Sequence, residues 1–396
     1  MNLLMLSGDA SVAQGREGAF HQTLRRFSAY WERIDILCPR APGTSERTVH
    51  GNVYVHPSPG HRATQPLFIR SKGLELLRER PCALITSHDF GYFYNGIGAW
   101  CLHRRTGVPY VSEIHHVEGH PRAATRRERL YRALTAAYVR WAKSRAAAFR
   151  VVNSVEVPEF LRRLGVPEDK ILVLPSLYID FERFYPLSDE PRRFDAVFVG
   201  RLMTNKGLFT ILDAVVQLKA THPHVRIGLF GRGRLQAALE ARILALGLHQ
   251  NVSLLTEWLS SAELTRLYNS AAMLLCASTA DGGPRVTVEA MACGVPVVST
   301  PVGIMGELVM DGENGLLFHS KADELAAQVR RLLDDEGLRR RLGANGRASV
   351  QCFQADAVIE RYARGYHELV ARLEPSPLGR GKDGGARQAG VTDARG

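Results

Sequence analysis

Along the chain, short apolar runs ending in Gly, Ser, Asn or Pro alternate with longer stretches whose apolar positions recur every three or four residues. The first kind suits strands buried on both faces and the second amphipathic helices, so the rhythm predicts repeated β-α units around parallel sheets. In the first half the strand candidates are 3–7, 33–38, 83–87, 110–115, 149–153 and 171–175, with helix patterns between most of them and one helix opening near Ala19. In the second half they are 195–200, 226–231, 252–255, 273–277 and 295–299, with helices predicted over 208–219 and 235–246. The rhythm breaks at 185–193, a polar, proline-bounded segment that suits a linker. A last helix is predicted over 354–373, and from Pro375 the composition turns to Gly, Arg, Pro and Asp with little to bury. The chain thus divides into a first domain over 1–185, a second over 186–352, a final helix over 353–374 packing back across both, and a disordered tail over 375–396.

A length of 396 residues exceeds what one hydrophobic core usually serves, in keeping with two domains. The 45% hydrophobic and 23% charged shares are ordinary for a globular protein, and no apolar stretch is long enough to cross a bilayer. The opening run Leu3-Leu4-Met5-Leu6 has no basic flank and meets Gly8-Asp9 early, so it reads as a buried strand rather than a signal peptide, and a cytoplasmic chain is expected. The six cysteines are scattered without a C-x-x-C pair, which predicts neither disulfides nor structural zinc. The net charge of +11 has three readings: attraction to anionic lipid, attraction to nucleic acid, or solvated arginine-rich faces. No helix-turn-helix, zinc or RNA-binding signature accompanies it, so no nucleic-acid partner is expected.

Between Arg122 and Arg150 a helix pattern sets Leu130, Leu134, Tyr138 and Trp141 on one side, with Arg126, Arg127, Arg129, Arg132, Arg140, Lys143 and Arg145 around the rest. Such a helix either lies on an anionic membrane surface or packs on a core with a solvated face, and the pattern leaves both open.

The chemistry concentrates in the second half. In 197–207 a strand runs through Gly200-Arg201 into Lys206-Gly207 at the start of a helix, where backbone N–H groups and two cations suit a diphosphate. In 277–298 a strand ends in a loop holding Asp281, and Glu289 follows within a short helix. Carboxylates so spaced can face one pocket and accept from sugar or ribose hydroxyls; a turn-forming Asp281 and a salt-bridged Glu289 are the structural alternatives. Gly231-Arg232-Gly233 at a strand end lacks the third glycine of a dinucleotide fingerprint, so NAD is not expected. Trp258 is either a base-site neighbour or a buried core residue. In the first half, Gly15-Arg16-Glu17-Gly18 precedes a helix, and the strand after Val108 ends in His115-His116, with Glu113 just before them. Ser87-His88-Asp89 ends another strand and either lines an acceptor site or caps a helix.

Together these segments resemble the retaining nucleotide-sugar glycosyltransferases of family 4, most closely over 197–318 and in order over 3–184. The resemblance implies an α/β GT-B fold, two Rossmann-like domains facing across a deep cleft. It implies that Arg201 and Lys206 bind the donor diphosphate, that Asp281 lies near the transferred sugar, and that Glu289 binds the ribose. The family has glutamate where this chain has Asp281, one methylene shorter. Gly231 corresponds to the family's strand-end glycine pair, Trp258 to the base site, Gly18 (or Gly15) to the loop closing over the phosphates, and His115 to the residue beside the reacting sugar.

The implied reaction retains anomeric configuration and needs no metal or other cofactor, and no Asp-x-Asp motif stands in a suitable loop. The implied partners are a nucleotide-sugar donor and a saccharide or lipid-linked acceptor, in polysaccharide, lipopolysaccharide or glycolipid assembly, with peripheral placement on the inner membrane face through 122–150. A nucleotide-sugar epimerase and a non-catalytic nucleotide-sugar-binding relative are the alternatives.

Overall fold

Strands buried on both faces need apolar side chains at nearly every position, and that is where the short apolar runs go. The computed structural model describes residues 1–373 apart from 122, 124 and 176; the predicted tail over 375–396 lies outside the described residues. The first sheet contains β1 (Asn2–Leu6), β2 (Arg33–Cys38), β3 (Arg47–Val49), β4 (Val53–Pro57), β5 (Leu84–His88), β6 (Tyr110–Glu113), β7 (Ala148–Val151) and β8 (Ile171–Val173). Their spatial order is β3-β4-β2-β1-β5-β6-β7-β8. All neighbours are parallel except β3 and β4, an antiparallel edge pair that the repeating rhythm does not predict. The second sheet contains β9 (Ala196–Val199), β10 (Ile227–Phe230), β11 (Val252–Leu255), β12 (Leu274–Cys276), β13 (Val297–Ser299) and β14 (Leu316–Leu317), parallel throughout in the order β11-β10-β9-β12-β13-β14.

In the first domain, α2 (Gln65–Glu79), α3 (Tyr94–Thr106), α4 (Arg126–Ala142) and α5 (Glu156–Arg163) cover one face of the sheet. The other face is covered by α1 (Ala19–Phe27) and by a helix from the far end of the described chain, α13 (Ala355–Leu373). The buried residues Ala355, Val358, Ile359, Tyr362, Ala363, Tyr366, Leu369 and Val370 follow the helical period along α13. They seat it on the first domain, with Tyr362 stacked on Phe27. In the second domain, α6 (Leu208–Leu218), α7 (Gln236–Ala245) and α11 (Ala322–Asp334) pack on one face. The remaining helices are α8 (Ser261–Asn269), α9 (Arg285–Ala292) and α10 (Met305–Leu308) on the other face, with α12 (Glu336–Ser349) following α11. The segment 334–336 is a helix end and a new start, since the Asp335 carboxylate caps α12 by accepting from the Leu338 N–H at 2.8 Å.

The basic helix differs from its predicted pattern. Among the described residues the helix is Arg126–Ala142; a capping box between Thr125 and Glu128 starts it, and Leu130, predicted on the apolar side, is exposed. Lys143 and Arg145 turn back to carbonyls of Leu164 and Trp141 rather than facing solvent.

The two domains meet at the carboxyl ends of their strands, where parallel sheets leave loops free to form a site. The approach is close. A Cβ on Gly282 of the second domain would stand 2.4 Å from the carbonyl oxygen of His115 in the first. Beside this contact, Glu307 accepts from the Ser154 and Val155 N–H groups at 3.0 Å each, and Glu156 accepts from the Gly303 N–H at 2.7 Å.

Two outcomes follow from this junction. Gly282→Ala should leave both domains folded but loosen their junction, speeding hydrogen exchange at the Ser154, Val155 and Gly303 amides held across it; unchanged exchange would contradict the close approach. Burial pushes the Glu156 carboxyl up to about 7 from its usual 4.5. The joined form therefore holds this proton more tightly than the unfolded chain, and stability from this group is lost as pH rises from about 4.5 to 7. The melting temperature of Glu156→Gln relative to wild type should climb across that window and then level off, whereas a constant difference would sink the assignment.

Candidate active site

The loop after β9 is stitched to the loop after β12. Asn205 donates from its side chain to the Ala280 carbonyl at 2.9 Å, and its own carbonyl accepts from the Thr279 N–H at 2.8 Å. Gly207, with φ of +64°, lets the chain turn into α6 while passing so close to β12 that a Cβ would lie 2.0 Å from the Ala277 oxygen. This packing sets Lys206 beside Asp281, and the two form an ion pair with both side chains largely buried. Arg201 stands exposed near the same place, close enough for its charge to act on His116. Two cations thus gather where the N-terminus of α6 adds partial positive charge.

On α9, Arg285 and Glu289 lie one turn apart. Glu289 is buried and accepts from the Tyr268 hydroxyl at 2.9 Å; burial raises its carboxyl above the usual range, against the pull of Arg285. The Arg285 guanidinium sits over the Tyr178 ring at 4.5 Å. These residues border an interdomain cleft of about 890 Å³ that Gly18, Arg26 and Trp258 also line. Trp258 is 84% exposed, so it is a rim residue and not part of a core. Gly18 holds the N-cap position of α1 with open space where a side chain would go, and it lines the cleft; Gly15 is exposed outside the cleft lining, with the Arg47 guanidinium beside it.

Arg285 also borders a smaller pocket of about 250 Å³, formed by His115, His116, Asp281, Gly282 and Ile304. His115 stacks on His88 with ring centres 4.4 Å apart and is held at Nε2, 3.2 Å from the Glu113 carboxylate and 3.1 Å from Arg150. Surrounding protein holds the His116 imidazole below its usual range; Asp281 opposes that shift, and His115, Arg201 and Lys206 add to it. His116 in turn borders a third cavity of about 300 Å³ within the first domain, beneath Phe90, Tyr92 and Tyr131. Asp89 forms part of its wall, buried and accepting from Ser87, Ser112 and Tyr138; burial pushes its carboxyl up to about 7. The three spaces are neighbours that share wall residues, Arg285 between the cleft and the smaller pocket and His116 between that pocket and the third cavity.

Of the residues singled out in the sequence, the structure brings His115, Asp281 and Lys206 together, with Arg201 near enough for its charge to reach His116, and gathers Gly18, Trp258 and Glu289 along the adjoining cleft. Gly231 lines neither of these two spaces but lies directly beneath the Arg201 loop. A Cβ there would lie 1.8 Å from the Gly200 oxygen, so its role is to let two strand ends pack under the Arg201 loop. Arg285 and Tyr178 were not foreseen; Arg285 sits inside the 281–289 segment, four residues before Glu289, and that helical spacing is the signal that marks it. Among the described residues no group of three or more His, Cys, Asp or Glu side chains is placed to hold a metal ion.

Comparisons with known proteins agree in both halves. Residues 180–349 match the model for glycosyl transferases group 1, and residues 21–177 match the model for glycosyltransferase family 4. An uncharacterized glycosyltransferase of Methanocaldococcus jannaschii is 30% identical over 44% of this chain and 48% of its own length. The MMP alpha-(1->4)-mannosyltransferase of Mycolicibacterium hassiacum is 31% identical over 56% of this chain and 54% of its own. The chain thus spans about half the length of these two relatives. A D-inositol 3-phosphate glycosyltransferase of Streptomyces bingchenggensis is 28% identical over 72% of this chain and 68% of its own.

Among solved structures, sucrose-phosphate synthase from Thermosynechococcus elongatus superposes with a TM-score of 0.77 at 22% identity, covering 94% of this chain and 99% of that one. Anabaena Alr3699/HepE in complex with UDP-glucose gives 0.74 at 20% identity, covering 94% and 100%. The fold is GT-B, and with its two halves matching the two family models in chain order, the chain belongs to the group 1, family 4-like glycosyltransferases.

Proposed function

We propose that this protein transfers a sugar from a nucleoside diphosphate donor to an acceptor hydroxyl with retention of anomeric configuration. The observation that carries this reading is the pairing of Lys206 with Asp281, beside Arg201 and the N-terminus of α6, directly across the domain junction from His115. A diphosphate placed there meets fixed positive charge without a divalent ion. Glu289, at the floor of the adjoining cleft, is the acceptor for ribose hydroxyls, and Trp258 stands at the rim where the base would lie. The solved complex of Alr3699/HepE contains UDP-glucose, which supports a nucleotide sugar as the ligand class.

In the proposed reaction the acceptor oxygen bonds to the anomeric carbon on the face from which the diphosphate leaves. The carbon–phosphate-oxygen bond breaks, and the proton of the acceptor hydroxyl passes to the leaving diphosphate. Arg201 and Lys206 stabilise the charge that builds on that group, and Asp281 and His115 hold the sugar. Asp281 is also tied to Lys206, so the sugar site and the diphosphate site share one ion pair. The third cavity, entered past His116, is where the acceptor would sit.

The acceptor is proposed to be a saccharide or a lipid-linked saccharide, in the assembly of a cell-surface glycan at the cytoplasmic side of a membrane. Tyr92 and Phe90 are exposed at the mouth of the third cavity, Tyr92 lies 6.4 Å from Tyr131 of α4, and α4 presents exposed Leu130, Arg126 and Arg129. Apolar tips among arginines suit an anionic bilayer surface. No helix among the described residues is long and apolar enough to cross a membrane.

Melting temperature measured against UDP-, GDP-, ADP- and dTDP-sugars without added metal should rise by several degrees for one nucleotide class at saturating ligand. Arg201→Ala and Lys206→Ala should abolish that shift. Asp281→Asn should keep donor binding and lower turnover by roughly a hundredfold. No shift with any class would remove the reading, and a shift without turnover on any acceptor would leave a non-catalytic binder. Sedimentation with vesicles should show binding to phosphatidylglycerol but not to phosphatidylcholine, weakened by Arg126→Glu/Arg129→Glu; equal binding of the variant would exclude α4 as the docking face.

A further inference from the structure

The His115 ring is fixed by more than its stack on His88. The ring nitrogen Nε2 is turned into the protein, and the carboxylate it meets is unusually well supplied with donors. One oxygen of Glu113 faces Nε2 of His115 at 3.2 Å and accepts from Arg150 at 3.1 Å. The other accepts from the Tyr362 hydroxyl at 3.1 Å and from the Tyr366 hydroxyl. Both tyrosines belong to α13, more than 240 residues along the chain from Glu113 (sequence separations of 249 and 253). Arg150 is 1% exposed, lies over the Tyr362 ring at 3.8 Å, and also donates to the Leu174 carbonyl at 2.9 Å.

We infer that Glu113, Arg150, Tyr362 and Tyr366 form a positioning assembly for His115, so that the C-terminal helix α13 is a working part of the reaction centre and not only a cover for the first domain. An ionised carboxylate buried this deeply is costly unless its lone pairs are satisfied. Burial alone would push Glu113 up, yet Arg150, with hydrogen bonds from His115 and Tyr366, holds it well below the usual carboxylate range. The assembly therefore keeps a fixed negative charge behind the imidazole. Because Nε2 is turned to Glu113 and donates its N–H to that carboxylate, the nitrogen left for the smaller pocket is Nδ1, and the His88 ring stacked on the same imidazole closes off one of its faces. Losing the two hydroxyls would leave Glu113 under-satisfied and free to draw His115 away from the sugar.

Replacing both tyrosines by phenylalanine removes the hydroxyls and keeps the rings that pack on Phe27 and Arg150. In Tyr362→Phe/Tyr366→Phe we expect turnover to fall by roughly tenfold to a hundredfold while the KM for donor changes little, the pattern of a displaced reacting group rather than a lost binding group. The inference rests on His115 acting in sugar transfer, so a second readout is independent of activity. The ring ¹⁵N resonances of His115, identified by their loss in His115→Asn, should shift in the double variant. Tyr362→Phe and Tyr366→Phe examined singly serve if the double variant does not fold. Folded variants with wild-type turnover and unmoved His115 resonances would overturn the assembly. If the wild-type protein shows no transfer at all, the resonances alone decide: a shift upholds the assembly and its absence refutes it.

Discussion

Everything that could be chemistry in this molecule depends on two backbones being allowed to touch. The turn 281–283 from the second domain lies against the end of β6 in the first, with room for glycine and nothing larger at position 282. Neither side is a site by itself. The second domain brings Lys206, Asp281 and Arg285, and the first brings His115, His116 and the cavity behind them. The loops at the strand ends supply the reactive groups, while the sheets behind them, packed with apolar side chains on both faces, hold those loops still.

The electrostatics follow the same division of labour. The second domain gathers cations at the start of α6 and ties one of them to Asp281, so positive charge there is already arranged and only partly neutralised. The first domain buries a carboxylate, Glu113, and surrounds it with donors so that it keeps its charge. The carboxyls of Asp89 and Glu156, which form no ion pair with a cation among the described residues, rise instead. Burial is common to all three; the presence of Arg150 is what separates Glu113 from the others.

Much of the fold is legible in the sequence because parallel strands announce themselves as unbroken apolar runs. The edge pair β3 and β4 does not: Arg47–Val49 is mostly exposed and polar, and β4 alternates buried and half-buried positions, a pattern that the strand rhythm elsewhere hides. The loop 200–207 and the 281–289 segment are legible as well, since each joins a strand end to a helix start. What the sequence withholds is long-range. Nothing near Asp281 says that it pairs with Lys206, nothing near Glu113 points to tyrosines in the last helix, and the exposure of Trp258 and Leu130 depends on neighbours far along the chain. Which of the two glycines before the first helix lines the cleft likewise depends on the opposite domain, and it is Gly18.

The most direct measurement is a crystal structure of the protein soaked with a nucleoside diphosphate of the class it binds. The account predicts the diphosphate between Arg201, Lys206 and the start of α6, with the ribose on Glu289 and the base beside Trp258. Electron density for the nucleotide in the first-domain cavity beneath Phe90 and Tyr92, or outside the cleft altogether, would contradict it.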